Sequence, residues 1–580
     1  MIGFLCGSRP MYTAREQHRS IWMTEAPIPT LNDRRETQNL RRNLWIATVV
    51  AVVVGCSFQL LWFARTCFHE IDFDGMAYLG IARHIRQGDF HAAINAFRSP
   101  LISWLIAAVP FGHGDYLHIG KLVNVGSFVL SLGVLYVLAE SLWRSRLAAA
   151  TATLLLVLGR GLAASAVEIV TPDFLFAALV LVYFILLLRA LRNDRWQTWL
   201  LLGGVHGLAF LAKAFALPWL TVCTVATLLL SGKPWRTRFG RFAAAALIPV
   251  VIAAGWAAVL HSKYGVFTTG SQFKANLLQW TLHAYRDHPD PTYAVLRDAT
   301  QNLDEYIVGD PMPPGSWPWA YRIEISRLLP KVIVAEEHNL PQVAKEMIIV
   351  ATPGGMLAFA FALIMLTRQR DRNLVEWRFA AVIAVAALSL VLAYSMLVVD
   401  ARYLYPLTPL ILAVSAGFLA GAGELNFRLW RRICLVLVVA GFVFSLTYWA
   451  SPFRTLTRDF QLSCYDAANH LRAHAGSRVV SLGAGPFPEH GVGWEAGFKA
   501  AYFGGRRIVG TMDSLPDPTQ LSSLMADTEK ASPDAILVWG RPNDARRANL
   551  LQHLVQLYPH NSTERILDPL LGEVGVVIFP

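Results

Sequence analysis

Two carboxylates separated by one residue, Asp72 and Asp74, follow the first long apolar stretch of the chain. Such a pair at a membrane boundary can act as a general base, bind a metal ion, or form the solvated face of a loop. The residues that follow, including Ile81, Ala82 and Ile85, have the spacing of an amphipathic helix lying in the membrane interface. The pair is therefore a candidate for chemistry at the bilayer edge, with the solvated loop as the alternative.

A third carboxylate, Asp173, stands in the run Thr171-Pro172-Asp173 before another apolar stretch. This run is also a good helix start, because threonine can cap, proline suits the first turn, and an acid is favoured near the positive end of the dipole. Two interpretations stay open for Asp173. It is either part of a helix start or a second carboxylate that orients an acceptor or helps to bind a metal.

Three cations, Arg98, Lys213 and Arg402, are candidates for binding a phosphate group. Arginine suits bidentate phosphate contacts, and lysine suits a point-charge contact. The alternative for each is snorkelling from a helix end to the interface. Arg160 lies within an apolar stretch and is a functional candidate as an intramembrane charge, with an ion pair to Glu168 as the alternative.

The composition requires a membrane to surround these residues. Hydrophobic residues make up 54% of the 580 and charged residues 16%, and the mean hydropathy is +0.41. These values are outside the range of an ordinary soluble domain. The net charge of +11 comes from short clusters of Lys and Arg between apolar runs, which is typical of membrane proteins and argues against nucleic acid as a partner. The six cysteines have no paired spacing, so neither a metal knuckle nor a disulfide framework is indicated.

The apolar stretches predict an α-helical polytopic membrane protein with about eleven transmembrane helices. Basic clusters occupy every second connection, which places the N-terminus inside and the C-terminus outside. Lys213 falls on the outer side, where this charge bias would not place it, and this favours a functional role. The predicted spans are 44–64, 117–142, 147–167, 174–191, 199–212, 215–230, 242–260, 345–366, 377–398, 404–422 and 433–449.

The predicted domain organisation has three parts. Residues 1–42 form a cytoplasmic tail, and residues 43–450 form the transmembrane domain with two large outer segments at 69–116 and 261–344. Residues 451–580 form a small extracytoplasmic α/β domain, because β-type runs at 478–482, 507–510, 535–539 and 574–579 alternate with helical patterns at 465–475 and 546–557.

The polar positions resemble those of the C-type membrane glycosyltransferases that use a polyprenyl-phosphate sugar donor, a family that includes protein mannosyltransferases and the aminoarabinose transferases of lipid A. The resemblance covers roughly residues 40–450 in order and topology. Its motifs are an Asp followed four residues on by a Tyr (Asp74 and Tyr78), a basic residue near a proline (Arg98 and Pro100), an acid opening a span (Asp173), a Gly-Leu-Ala run ending in Lys (Gly207 to Lys213), and an Arg-Tyr run with prolines (Arg402, Tyr403, Pro406 and Pro409).

The resemblance implies an enzyme of the bacterial inner membrane, with its active site facing the periplasm. It would transfer a monosaccharide from a polyprenyl-phosphate donor to a lipid, glycan or protein acceptor by an inverting mechanism. Asp74 would be the general base, Asp173 a second catalytic carboxylate, and the three cations the donor-phosphate ligands. Tyr78 and Tyr403 are further site candidates, no cofactor is certain, and a divalent cation is left open.

Two positions depart from the family pattern. Gly75 follows Asp74 where the family often has Glu, so Asp72 could carry the role of base instead. Phe97 stands where some members have an acid. The alternative functions are a lipid or glycan transporter or flippase, which would predict inverted repeats that the sequence does not display, and a polysaccharide ligase or polymerase.

Overall fold

The computed structural model describes most of the helical part of the chain and much of the C-terminal sheet. The described residues are 31–67, 70–110, 116–159, 161–282, 325–369, 374–397, 399–421, 428–449, 478–482, 507–512, 534–539, 545–557, 562–568 and 572–578, together with a few residues between 464 and 500.

The described part of residues 31–449 is mainly helical. Its α-helices are α1 Leu31–Thr66, α2 Phe73–Gln87, α3 Phe90–Ala93, α4 Leu101–Ala108, α5 Tyr116–Trp143, α6 Arg146–Val157, α7 Leu162–Glu168, α8 Asp173–Asn193, α9 Trp196–Ala212, α10 Ala216–Leu230, α11 Trp235–Tyr264, α12 Gln272–Asn276, α13 Ile325–Ala351, α14 Pro353–Arg368, α15 Leu374–Ser395, α16 Thr408–Leu419 and α17 Arg428–Trp449. A π-helical turn, Leu277–Thr281, follows α12, and a 3-10 turn, Ala401–Leu404, precedes α16.

Membrane-protein character follows from the length and composition of these helices. Five helices in the described residues are long and apolar enough to cross a bilayer, and the number rises to seven if each of two bent pairs is one span. Many of their large apolar side chains are exposed on the protein surface, including Val53, Phe58, Leu122 and Val251, as expected where lipid is the solvent. The predicted count of eleven spans remains a prediction.

Two of the predicted spans are not single straight helices. The prediction for 147–167 is divided between α6 and α7, with Gly161 in a left-handed conformation at the start of α7. The prediction for 345–366 crosses a bend of 95° between α13 and α14. Thr352 has a positive φ of 63° there, and its hydroxyl accepts a hydrogen bond from the Gly355 N–H, while Pro353 lacks the N–H that would continue the helix. The apolar pattern alone did not predict that the helices are interrupted at these positions.

Helix α8 lies at the centre of the bundle and is buried on nearly all sides, which explains its almost continuous apolar sequence. Beside it, α9 packs closely on α11. A side chain at Gly203 would lie 2.5 Å from the Ala245 carbonyl oxygen, and one at Gly207 would lie 2.4 Å from Ile252. This Gly-x-x-x-Gly pair lets the two helices approach closely and so sets the place of Lys213, directly after α9.

The C-terminal region contains a five-stranded mixed sheet and a helix, α18 Ala545–Leu557. The strands are β1 Arg478–Leu482, β2 Arg507–Met512, β3 Ala535–Val538, β4 Ser562–Asp568 and β5 Gly572–Ile578, in the order β2-β1-β3-β5-β4. β1 pairs in parallel with β2 and β3, and β5 pairs antiparallel with β3 and β4. The four predicted β runs match strands. The sequence analysis missed β4 because its sequence, which includes Glu564 and Arg565, contains no long apolar run.

Candidate active site

Asp72 fixes the start of α2 and ties it to the loop before α8. It is the N-cap of α2, and its Oδ1 accepts hydrogen bonds from the Gly75 N–H and from the Val170 N–H, both at 3.2 Å. A Cβ at Gly75 would lie 2.6 Å from that oxygen. The glycine that departs from the family pattern therefore makes room for this cap, and Asp72 is engaged in architecture.

Asp74, in the first turn of α2, faces two guanidinium groups. Its Oδ1 lies 2.6 Å from Nη2 of Arg98, and its Oδ2 lies 3.1 Å from Nη1 of Arg402. Arg98 comes from the turn before α4, and Arg402 comes from the 3-10 turn before α16. Residues more than 300 positions apart in sequence thus meet at one carboxylate, which is a quarter exposed.

Arg402 is held by two further acids. Its Nε lies 2.7 Å from Oδ2 of Asp400, and its backbone N–H donates to Oδ1 of the same residue at 3.0 Å. Its Nη1 also lies 3.5 Å from Oδ2 of Asp72. Asp400 was not among the predicted site residues, although its place two residues before Arg402 was a usable signal.

Lys213 and Asp173 form a second ion pair beside the first group. The Lys213 ammonium contacts Oδ1 of Asp173, a residue only 2% exposed, while the Thr171 hydroxyl donates to Oδ2 at 2.7 Å. Thr171 therefore binds the carboxylate and does not cap α8, whose N-cap is Pro172. The pairing also differs from the snorkelling alternative for Lys213, because the ammonium turns inward to a buried partner.

Three tyrosines lie beside the charged groups, and one of them, Tyr403, contacts two cations. The Lys213 ammonium lies 4.8 Å from the ring centre of Tyr403, and the Arg402 guanidinium lies 5.9 Å from the same ring, distances compatible with cation–π attraction. Tyr394, which the sequence analysis missed, stacks on Tyr403 with ring centres 4.5 Å apart. The Arg98 guanidinium lies 5.8 Å from the buried ring of Tyr78.

The local structure around Arg98 leaves one donor unused. Asn95 Oδ1 accepts hydrogen bonds from the backbone N–H groups of Phe97 and Arg98, which shapes the turn that presents the guanidinium. Nε of Arg98 is buried and has no hydrogen-bond partner among the described residues. Buried polar groups normally have a partner, and an unsatisfied one costs about 1–3 kcal/mol.

The charges of the group perturb one another. Burial raises the pKa of Asp74, but the positive charges of Arg98 and Arg402 outweigh this effect and hold the pKa below its ordinary value of 3.8. Burial lowers the pKa of Arg402, but Asp74 and its acidic neighbours raise it overall. Burial raises the pKa of Tyr403 to about 12. Asp74 is thus ionised throughout the physiological range, and Arg402 keeps its proton.

The structure brings together eight of the nine predicted site residues, and Arg160 lies outside the described residues. The eight are Asp72, Asp74, Tyr78, Arg98, Asp173, Lys213, Arg402 and Tyr403. Each cation lies beside a carboxylate that balances its charge. The spacing of these residues along the sequence could not predict these ion pairs.

A further group of residues could hold a metal ion. Within the described residues, ligand atoms of Cys67, Glu70 and Glu168 lie within 4.8 Å of one another, and all three residues are buried. The Lys121 ammonium donates to the Cys67 carbonyl oxygen at 2.6 Å and brings a positive charge to this group. Glu168, expected as the alternative partner of Arg160, contacts the Cys67 thiol at 3.7 Å.

Comparisons with known proteins show similarity over a segment of the sequence. A family model described as dolichyl-phosphate-mannose-protein mannosyltransferase matches residues 98–257. The chain is 31% identical over 173 residues to the undecaprenyl phosphate-alpha-4-amino-4-deoxy-L-arabinose arabinosyl transferase of Pseudomonas paraeruginosa, and 32% identical over 173 residues to that of Pseudomonas aeruginosa. Each match covers 29% of this chain and spans only 31% of the relative's length.

Solved structures extend the likeness to the whole fold. ArnT from Cupriavidus metallidurans, in the apo state and bound to undecaprenyl phosphate, superposes with a TM-score of 0.52 at 14% identity. The superpositions cover 92% of this chain and 98% and 97% of those chains. Residues 98–257 are thus similar to the dolichyl-phosphate-mannose-protein mannosyltransferase family, a segment of the chain is similar to undecaprenyl-phosphate arabinosyl transferases, and most of the chain shares the fold of ArnT.

Proposed function

We propose that this protein transfers a monosaccharide from a polyprenyl-phosphate donor to a lipid, glycan or protein acceptor at the outer face of the membrane, by an inverting mechanism. The observation that carries the proposal is the convergence of Arg98, Arg402 and Lys213 around Asp74, Asp173 and Tyr403. The named relatives act on an undecaprenyl-phosphate sugar, and one structure with the same fold was solved with undecaprenyl phosphate bound.

The cations suit a leaving group whose charge grows during the reaction. A sugar phosphodiester carries one negative charge, whereas the released phosphate monoester carries about −1.5 to −2 at pH 7. Positive groups arranged around the phosphate therefore bind the product-like transition state more strongly than the donor, which is the condition for catalysis. Nε of Arg98, buried without a partner among the described residues, is a donor that a phosphate oxygen would satisfy.

Asp74 is proposed as the general base. Its carboxylate takes the proton of the acceptor hydroxyl while that oxygen bonds to the anomeric carbon, and the bond from the anomeric carbon to the phosphate oxygen breaks with its electron pair passing to the phosphate. Two arginines weaken Asp74 as a base before the donor binds. When the donor phosphate engages Arg98 and Arg402, their hold on Asp74 relaxes and its basicity increases.

The geometry favours Asp74 over Asp72 for this role. One oxygen of Asp72 already accepts two backbone hydrogen bonds that cap α2 and hold Val170. Asp173 is proposed as a second carboxylate that keeps Lys213 in place until the phosphate arrives. A divalent cation is not required by this scheme, and the group of Cys67, Glu70 and Glu168 contributes no step to it.

The topology is proposed to follow the charge pattern. The protein would have eleven spans in a bacterial inner membrane, with the N-terminus inside and the C-terminus and the 451–580 domain outside. The segments 69–116 and 261–344 would lie outside as well, and the site would face the periplasm. Asp74 and Arg98 lie within the first of those segments, between the first span and α5, so this topology would place them at the outer face.

Donor turnover by the purified protein tests the proposed function. The detergent-solubilised protein is incubated with an undecaprenyl-phosphate monosaccharide and candidate acceptors, without ATP or an ion gradient, and release of undecaprenyl phosphate is measured by mass spectrometry. The expected result is turnover that requires an acceptor. Movement of the lipid across vesicles without cleavage would support a flippase instead, and consumption of a lipid-linked polysaccharide would support a ligase or polymerase.

Lipid analysis of a deletion strain identifies the sugar and the acceptor. The expected result is accumulation of one undecaprenyl-phosphate sugar together with loss of one glycan modification. A deletion strain whose lipid-linked sugars and envelope glycans are unchanged would contradict the proposal.

A further inference from the structure

Both carboxylate oxygens of Asp400 contact the same residue, Arg402. Oδ1 accepts from the Arg402 backbone N–H at 3.0 Å, and Oδ2 lies 2.7 Å from Nε of the same arginine. The Asp400 backbone carbonyl also accepts from the Tyr403 N–H at 3.0 Å. One side chain therefore ties together the backbone and the guanidinium of Arg402, which restricts the torsions between them.

This restraint determines which edges of the guanidinium remain available. With Nε on Asp400, Nη1 reaches Asp74 at 3.1 Å and Asp72 at 3.5 Å. Nη2 makes no hydrogen bond or ion pair within the described part of the chain, and this atom is not fully buried. The arginine thus has two engaged edges and one free donor group.

A pre-ordered arginine binds a ligand with less entropy loss than a free one. An arginine side chain has many rotamers, and fixing them at the moment of binding weakens the complex. The Asp400 contacts involve only residues of the same short turn, so no ligand is needed to form them. They would keep Arg402 in place even when a bound phosphate draws Nη1 away from Asp74.

We propose that Asp400 is a positioning residue that holds Arg402 so that its Nη2 group is presented to the donor phosphate. This inference rests on the proposed function and adds to it a residue that does not touch the reacting atoms. A merely structural role is the competing explanation, because Asp400 is also the N-cap of the 3-10 turn.

Two substitutions separate the roles. Asp400→Ser keeps a good capping group for the Arg402 N–H but is too short to reach Nε, and Asp400→Asn keeps the size while removing the charge. If Asp400 positions Arg402, both variants raise the KM for the donor about tenfold or more, as expected when a charge-assisted contact is lost, with a smaller change in kcat. If Asp400 only caps the turn, Asp400→Ser has the wild-type KM, and the proposal is overturned.

A double-mutant cycle with Arg402→Gln measures the coupling directly. In that background the Asp400 substitutions should add less than about twofold to the KM, because the side chain that they position is gone. Additive effects would overturn the proposal. Glu140→Gln is the matched control, since it removes an exposed ion pair with Arg146 outside the site and should leave the kinetics unchanged.

The outcomes distinguish this inference from the proposed function. Wild-type protein that does not turn over any polyprenyl-phosphate sugar overturns both. Wild-type turnover with unaffected Asp400 variants overturns only the positioning role. Folding is checked by gel filtration and thermal melting, and if Asp400→Ser does not fold, Asp400→Asn and its cycle with Arg402→Gln decide the question.

Discussion

Replacing Asp74 by asparagine removes the negative charge that faces Arg98 and Arg402 and keeps the size of the side chain. Without a proton acceptor there, the transfer rate should fall about 10²- to 10⁴-fold. This loss corresponds to about 2.7–5.4 kcal/mol of activation free energy at 1.36 kcal/mol per tenfold change. Single-turnover measurements with saturating donor report the chemical step directly.

The structure also sets the effect of this substitution on folding. The Arg98 side chain is 5% exposed, and leaving a buried charge unpaired costs at most about 3–5 kcal/mol. The carboxamide oxygen still accepts one hydrogen bond, so the actual loss of stability should be smaller. Thermal melting of the purified variant must therefore accompany the rate measurement.

Asp72→Asn is the matched control. Its carboxamide oxygen can still accept from the Gly75 and Val170 N–H groups, and only the 3.5 Å contact with Arg402 is weakened. A partly exposed ion pair is worth about 0–1 kcal/mol, so the rate should fall less than about fivefold. The opposite pattern would make Asp72 the base, and near-normal rates in both variants would refute general-base catalysis by either carboxylate.

Three further measurements test the site and its orientation. Lys213→Ala should raise the KM for the donor about 10- to 100-fold by removing a charged phosphate contact, whereas the exposed Lys233→Ala should not, and an unchanged donor dependence would remove Lys213 from the phosphate site. In the wild type, kcat/KM should not depend on Asp74 protonation above about pH 5. Arg98→Gln removes a charge that lowers the pKa of Asp74, so in this variant kcat/KM should begin to fall at a higher pH as the solution is acidified. A fall at the same pH in both proteins would contradict this coupling. A periplasmic reporter should be active when fused after residue 580 and inactive after Arg368, and the reverse result would overturn the proposed topology.

The sequence was informative where a residue type alone restricts the chemistry. Asp74, Arg98, Asp173, Lys213 and Arg402 were identified because a carboxylate can act as a base, a cation can bind a phosphate, and their motifs resemble those of a known family. Their order along the chain also carried the family resemblance, which the comparisons confirm. The apolar runs located most of the long helices, since burial in lipid requires about 20 consecutive apolar residues.

Only the tertiary structure decided how these groups are paired. Asp72 and Asp74 have the same side chain and are neighbours in the same motif. Asp72 nevertheless accepts hydrogen bonds from two backbone N–H groups, whereas Asp74 faces two arginines. Asp400 belongs to the site because it contacts Arg402 in the same turn, and Tyr394 belongs to it because its ring stacks on Tyr403. Pairing depends on side-chain direction and on contacts between distant segments, and a linear sequence contains neither. Composition and order therefore determined a membrane protein with charged residues beside its apolar stretches. Packing determined which of those residues face one another, because ion pairs form only between atoms that the fold brings within a few ångströms.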